Sequence, residues 1–197
     1  MIFDPETPPK GTVRDWLDAR AADDGVAFVF PETGETISWT ALRDEARQMA
    51  EGLAGQGIDK GESVAIIHPN GRAGVIAVYA TLYGGFRATM INLAAGPAAI
   101  TYALEHSGAR FAFVHPSQAE VFAQVAPQGV QALGRLEKQG VLCDIGPDDH
   151  ALLMYTSGTT GKPKGVVLSN ENVLFAGRST VKFDGLREDD SVLAYLP

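Results

Sequence analysis

The chain has 197 residues, 45% of them hydrophobic and 20% charged, a make-up that suits a folded unit with a real core and excludes a disordered chain. A formal net charge of -8 repels phosphate backbones and so argues against nucleic acid as a partner, while an anionic nucleotide needs only local donors. The single cysteine, Cys143, excludes an internal disulfide and a cysteine-built metal cluster; with no apolar signal core at the N-terminus and no apolar run long enough to span a bilayer, the expectation is a cytoplasmic protein without a transmembrane segment.

Thr12 opens a first helical pattern, with Val13, Trp16, Leu17 and Ala21 on one face. Val26 to Phe30 reads as a short strand, Pro31 to Glu35 as a turn, and Thr36 to Trp39 as a returning strand, which together make a small hairpin. Thr40 is the predicted cap of a long helix carrying Leu42, Ala46, Met49, Ala50 and Leu53 at helical spacing. From there the chain alternates. Ser63 to Ile67 is a buried strand, Gly71 to Tyr83 a helix stopped by Gly84-Gly85, and Arg87 to Ile91 a strand. Pro97 opens a helix that Gly108 closes, Phe111 to Val114 is a strand, and Ser117 to Val125 is a helix. Strands alternating with helices predict an α/β fold, a mainly parallel sheet flanked by helices on both faces.

Residues 127–150 are less regular and read as a connection with a short helix around Ala132 to Lys138. Ala151 to Tyr155 is a strand, Gly165 to Leu168 another, and Ser169 or Asn170 caps a helix starting at Glu171. The organisation is therefore a hairpin and helical entry over 1–60, alternating strands and helices over 61–126, the connection over 127–150, and a loop-bearing region over 151–197. Ser191 to Leu196 is a last apolar strand, after which the chain stops at Pro197; an apolar strand with nothing after it to bury it suggests a truncated unit that exposes sheet surface and self-associates.

The chemistry lies in Tyr155-Thr156-Ser157-Gly158-Thr159-Thr160-Gly161-Lys162-Pro163-Lys164-Gly165. Gly158, Gly161 and Gly165 let the backbone turn tightly and approach a ligand, and the hydroxyls between them stand beside exposed backbone N–H groups. A concave donor set of this kind suits phosphate oxygens, and Lys162 and Lys164 add positive charge. The spacing is not that of the common P-loop, because Pro163 follows Gly161-Lys162 and a strand follows the loop where a helix is needed. A Gly/Ser/Thr run of arbitrary sequence is most often a flexible surface loop; this one is specific over its length and bracketed by two strands.

The segment resembles the phosphate-binding signature of the acyl-adenylate-forming superfamily, which includes acyl-CoA synthetases, adenylation domains of non-ribosomal peptide synthesis and beetle luciferases. Its usual pattern is Ser/Thr-Ser/Thr/Gly-Gly-Ser/Thr-Thr-Gly-x-Pro-Lys-Gly, and Thr156 to Gly165 matches throughout. Ile37 to Leu42, Gly61 to Ile66 and Leu104 to Ala109 are similar to the family's first long helix, first core strand and a later helix end, and Leu193 to Pro197 looks like the start of its next motif.

The resemblance implies the N-terminal portion of an adenylate-forming enzyme, with the C-terminal domain absent. It implies ATP-dependent activation of a small-molecule carboxylic acid as its acyl-adenylate and transfer to CoA, as in ligases of fatty acid metabolism, with a carrier protein left open as acceptor. By motif match, Thr156, Ser157, Thr159 and Thr160 would hydrogen-bond the β- and γ-phosphates of ATP, Gly158 and Gly161 would permit the approach, Lys164 would pair with phosphate charge, and Thr156 would ligate Mg2+. No residue of the chain is assigned a catalytic role, and the chain alone is expected to be inactive. The alternative from another class is a non-catalytic nucleotide- or partner-binding module derived from that family. His68, His106, His115 and His150 lack metal-ligand spacing, and Met154 and Tyr155 read as strand packing.

Overall fold

A computed structural model describes residues 9–156 and 163–194. In chain order the elements are α1 (Val13–Arg20), β1 (Val26–Phe30), β2 (Glu35–Ser38), α2 (Trp39–Gly55), β3 (Ser63–Ile67), α3 (Arg72–Gly84), β4 (Arg87–Met90), α4 (Pro97–Ser107), β5 (Phe111–Val114), α5 (Ala119–Val125), β6 (Gln131–Ala132), β7 (His150–Thr156), β8 (Lys164–Ser169) and α6 (Asn170–Asp184). Strands β1 and β2 form an antiparallel hairpin. The other six make one sheet in the order β6-β5-β3-β4-β7-β8, parallel except for β8, which runs antiparallel to β7. The expected α/β architecture with a mainly parallel sheet is therefore present.

The centre of the sheet explains the layering. Every residue of β3 is buried, as a parallel strand covered on both faces requires. Ala65 and Ile67 pack with Ile100, Ala103 and Leu104 of α4 and with Phe122 and Val125 of α5. Val64 and Ile66 point the other way, Val64 to Leu53 of α2 and Ile66 to Ala77 and Leu82 of α3. Glycine sets the helix ends where the chain must reverse: Gly85 (φ 79°) and Gly108 (φ 68°) close α3 and α4 in the left-handed conformation. No helix among the described residues is long and apolar enough to cross a membrane.

Several local expectations are corrected. Ser38, not Thr40, caps α2: its side chain accepts from the Ala41 N–H, and Thr40 Oγ1 instead donates to the Ala21 carbonyl at 2.9 Å. The segment from Ser117 begins as a 3-10 turn over Pro116–Gln118, and the α-helix starts at Ala119. No helix forms over 132–138. Gln131 and Ala132 pair with β5 as its edge partner, and the Leu133 N–H continues onto the Ala112 carbonyl at 2.8 Å. Leu133 and Leu136 then cover Leu53 and Phe86, so extended chain buries the apolar residues that a helical face was expected to bury. Residues 191–194 are exposed and form no strand, while 195–197 lie outside the described residues. Among the described residues β8 is the edge of the sheet, and residues 191–194 do not pair with its free side.

One buried polar residue ties the two ends of the described chain together. Asn170, 2% exposed, accepts from the Val13 N–H at 3.0 Å and donates to the Asp149 carbonyl at 3.2 Å. Ser169 makes the helix cap that the sequence left open between it and Asn170, within a capping box closed by Asn172.

Candidate phosphate-binding site

Strand β7 ends at Thr156 and β8 begins at Lys164, and these two residues are cross-strand partners. Their side chains therefore leave the same face at adjacent positions, as directly opposed residues of an antiparallel pair do. Thr156 Oγ1 donates to the Lys164 carbonyl at 3.5 Å, the long limit of such a bond; as the donor, its oxygen keeps its lone pairs for another partner. Both residues are exposed. Ser157, Gly158, Thr159, Thr160 and Gly161, the remaining predicted phosphate ligands, lie outside the described residues. The structure thus brings together Thr156 and Lys164 at the stem from which the predicted loop departs.

The stem stands at the carboxyl end of β7, the edge of a parallel sheet where ligands of open α/β folds bind. The carboxyl ends of β3 and β5 lie on the same edge, and there the structure joins two histidines that the sequence left separate. The rings of His68 and His115 are 5.2 Å apart between centroids at 78°. His68 Nδ1 is buried and has no hydrogen-bond partner among the described residues, and burial, followed by the charge of His115, holds its imidazole below the ordinary value. His115 Nδ1 accepts from the Ser117 N–H at 3.2 Å.

On the face of the β7–β8 pair opposite Thr156 and Lys164, Tyr155 pairs with Gly165. Tyr155, which the sequence assigns to strand packing, does pack against the α4 side of the core, and its hydroxyl also reaches Ala103 and His106. The sequence carries no local signal for this contact, because Tyr155 and His106 are 49 positions apart. A cavity of about 140 Å³ between Gln56, Phe111, Leu133 and Arg135 lies at the β5–β6 side of the sheet, at the opposite edge from β8.

The profile of the family described as AMP-binding enzyme matches residues 16–197. The chain belongs to that family. It is 32% identical over 183 residues to a sulfoacetate–CoA ligase of Cupriavidus necator, covering 85% of this chain and 36% of that protein. It is 31% identical over 188 residues to a 2-succinylbenzoate–CoA ligase of Bacillus subtilis, covering 92% of this chain and 38% of that protein. Among solved structures, the o-succinylbenzoate CoA synthetase of Bacillus subtilis in complex with its acyl-adenylate intermediate superposes with a TM-score of 0.76 at 29% identity, over 89% of this chain and 47% of that one. The chain spans less than two fifths of the length of these two curated relatives, 36% and 38%.

Proposed function

We propose that this AMP-binding family chain belongs to an acyl-CoA ligase, in which its β7–β8 loop holds the β- and γ-phosphates of ATP while a carboxylate attacks the α-phosphorus, and the acyl-adenylate so formed is passed to CoA. The observation that supports this most directly is the placement of Thr156 and Lys164 side by side at the carboxyl end of a sheet strand, flanking a loop of glycines and hydroxyls. In this reading Ser157, Thr159 and Thr160 donate to phosphate oxygens, Thr156 does so by giving up its long bond to the Lys164 carbonyl, Gly158 and Gly161 leave room for them, and the Lys164 ammonium neutralises the departing pyrophosphate. The relatives named above take acids as different as sulfoacetate and 2-succinylbenzoate at nearly equal identity, so the proposal is for the carboxylic acid class.

Mg2+, when bound, would supply positive charge that screens the phosphate oxygens, and the Thr156 hydroxyl is the side chain that would hold it. Among the described residues no group of three or more His, Cys, Asp or Glu side chains could cage it. A magnesium ion keeps waters and substrate phosphates as most of its ligands and takes few from protein, and the exposed Thr156 hydroxyl is a hard oxygen suited to that role.

These residues by themselves are proposed to bind MgATP without producing acyl-CoA. Calorimetric titration tests the binding half: Lys164→Ala should weaken MgATP by about 10-fold or more, the loss of a hydrogen bond to a charged group, with the melting temperature unchanged because Lys164 is exposed. Equal affinity in the variant would refute the role. Acyl-CoA formation by the chain alone, with a panel of acids, would refute the other half. The apolar side chains exposed on β8 and beyond, Val166, Val167, Val192 and Leu193, support self-association through exposed sheet surface; a monomer by light scattering would count against it.

A further inference from the structure

The stem of the loop is held from behind. Thr156 and Lys164 leave one face of the β7–β8 pair, and Tyr155 and Gly165 leave the other, toward the last turns of α4. The Tyr155 hydroxyl is 3.0 Å from the Ala103 carbonyl and 3.0 Å from His106 Nδ1. A phenol has one proton and a carbonyl can only accept, so the phenol donates to Ala103. The bond to His106 must then run the other way, with Nδ1 carrying the hydrogen and Tyr155 accepting. Burial, and after it the neighbouring Tyr102, raises the Tyr155 phenol above its ordinary value, which keeps that donor proton in place.

The imidazole is fixed on two further sides. Tyr102 stacks on it with centroids 5.5 Å apart at 26°, and Tyr155 meets it edge-on at 5.7 Å and 77°. It also reaches β8. A methyl group added at Gly165 would stand 3.3 Å from His106 Cε1, 3.4 Å from Tyr155 Cε1 and 3.1 Å from Leu153 Cδ1. The missing side chain at Gly165 is thus the space against which both rings close. His106 is itself exposed, so filling the core does not account for this arrangement.

We infer that His106 is a positioning residue for the phosphate loop: through its Nδ1–H bond to Tyr155, and with its ring standing beside the space that a side chain at Gly165 would fill, it fixes the strand residues from which the loop departs. The inference rests on the phosphate-binding reading of that loop, but its structural half is tested separately. In the 15N-labelled chain at about pH 8, where an ordinary imidazole is neutral, long-range 1H–15N spectra should show His106 with Nδ1 protonated and Nε2 bare. Tyr155→Phe should abolish that preference. His106→Phe, which keeps a ring for stacking, should speed amide exchange about 10-fold at those of Tyr155, Thr156, Lys164 and Gly165 whose N–H groups close the β7–β8 ladder, and leave Leu152 and Leu168 at the wild-type rate. His106→Asn, whose side-chain N–H stands in for Nδ1–H, should restore slow exchange. A bare Nδ1 in the wild type, or unchanged exchange in His106→Phe, overturns the inference whether or not the chain binds nucleotide. MgATP added to the same samples reads the functional half. Shifts at Thr156 and Lys164 that need about 10-fold more MgATP in His106→Phe, and recover in His106→Asn, support the role. No response in the wild type overturns the phosphate reading and with it the role of His106 toward the loop, even where the exchange result holds.

Discussion

Replacing Asn170 by alanine removes the acceptor of the Val13 N–H and the side-chain donor to the Asp149 carbonyl. The two losses differ in kind. Asp149 still accepts from the Asn170 backbone N–H at 3.0 Å, so the second loss is that of one ordinary bond, about 0.5–1.5 kcal/mol. Val13 is 8% exposed, so its N–H is left buried and unpaired, at about 1–3 kcal/mol. The sum, about 3 kcal/mol, lowers the melting temperature by roughly 6–12 °C for a chain of this size. The stranded donor can be removed independently. Val13 is the first residue of α1, where proline is tolerated, and Thr12 before it already has the extended backbone (φ -122°, ψ 170°) that proline demands. In a Val13→Pro background Asn170→Ala should therefore cost about 1–2 kcal/mol less than in the wild type, measured by urea unfolding of the four chains of the cycle. Costs that add within about 0.5 kcal/mol would refute the assignment of Asn170 as the partner of that donor.

Gly55→Ala should destabilise the chain by about 1–2 kcal/mol although alanine favours helix by up to about 1 kcal/mol, because the new methyl would meet the Lys138 carbonyl group, its carbon at 2.7 Å; a stabilised variant in thermal unfolding would mean that the 138–140 segment does not lie against α2. His68 binds a proton less readily folded than unfolded, so its contribution is complete above the ordinary imidazole value and is lost as pH falls through it. Stability should therefore decline between about pH 7 and 5, a decline that His68→Asn flattens; the lowered carboxyls of Glu62 and Asp149, held by Arg110 and Lys60, act only at more acidic pH. An identical pH profile in His68→Asn would show that the burial of its ring carries no cost.

What the sequence made legible follows from how local each signal is. The unbroken apolar run of Val64 to Ile67 marks a strand buried on both faces, and Gly85 and Gly108 mark helix ends that need a left-handed residue. The cap of α2 was misplaced because Ser38 and Thr40 are both hydroxyl residues at the boundary and only the backbone path decides between them. The 132–138 segment defeated periodicity because Leu133 and Leu136 are buried by tertiary contact with α2, and the sheet edge at β5 takes up the backbone groups of Gln131 to Leu133. At the site, Thr156 and Lys164 came from a contiguous motif and prove adjacent across two strands. His106, Tyr155 and Gly165 meet only after α4 folds onto the sheet, so the motif shows its glycine without the rings that occupy the space beside it.

Amide shifts of the 15N-labelled chain on addition of MgATP test the phosphate cradle most directly. The largest shifts should fall at Thr156, at residues 157–162, and at Lys164 and Gly165, and they should shrink in Lys164→Ala. No response at millimolar nucleotide, or shifts centred on the cavity between Gln56 and Leu136 at the far edge of the sheet, would contradict it.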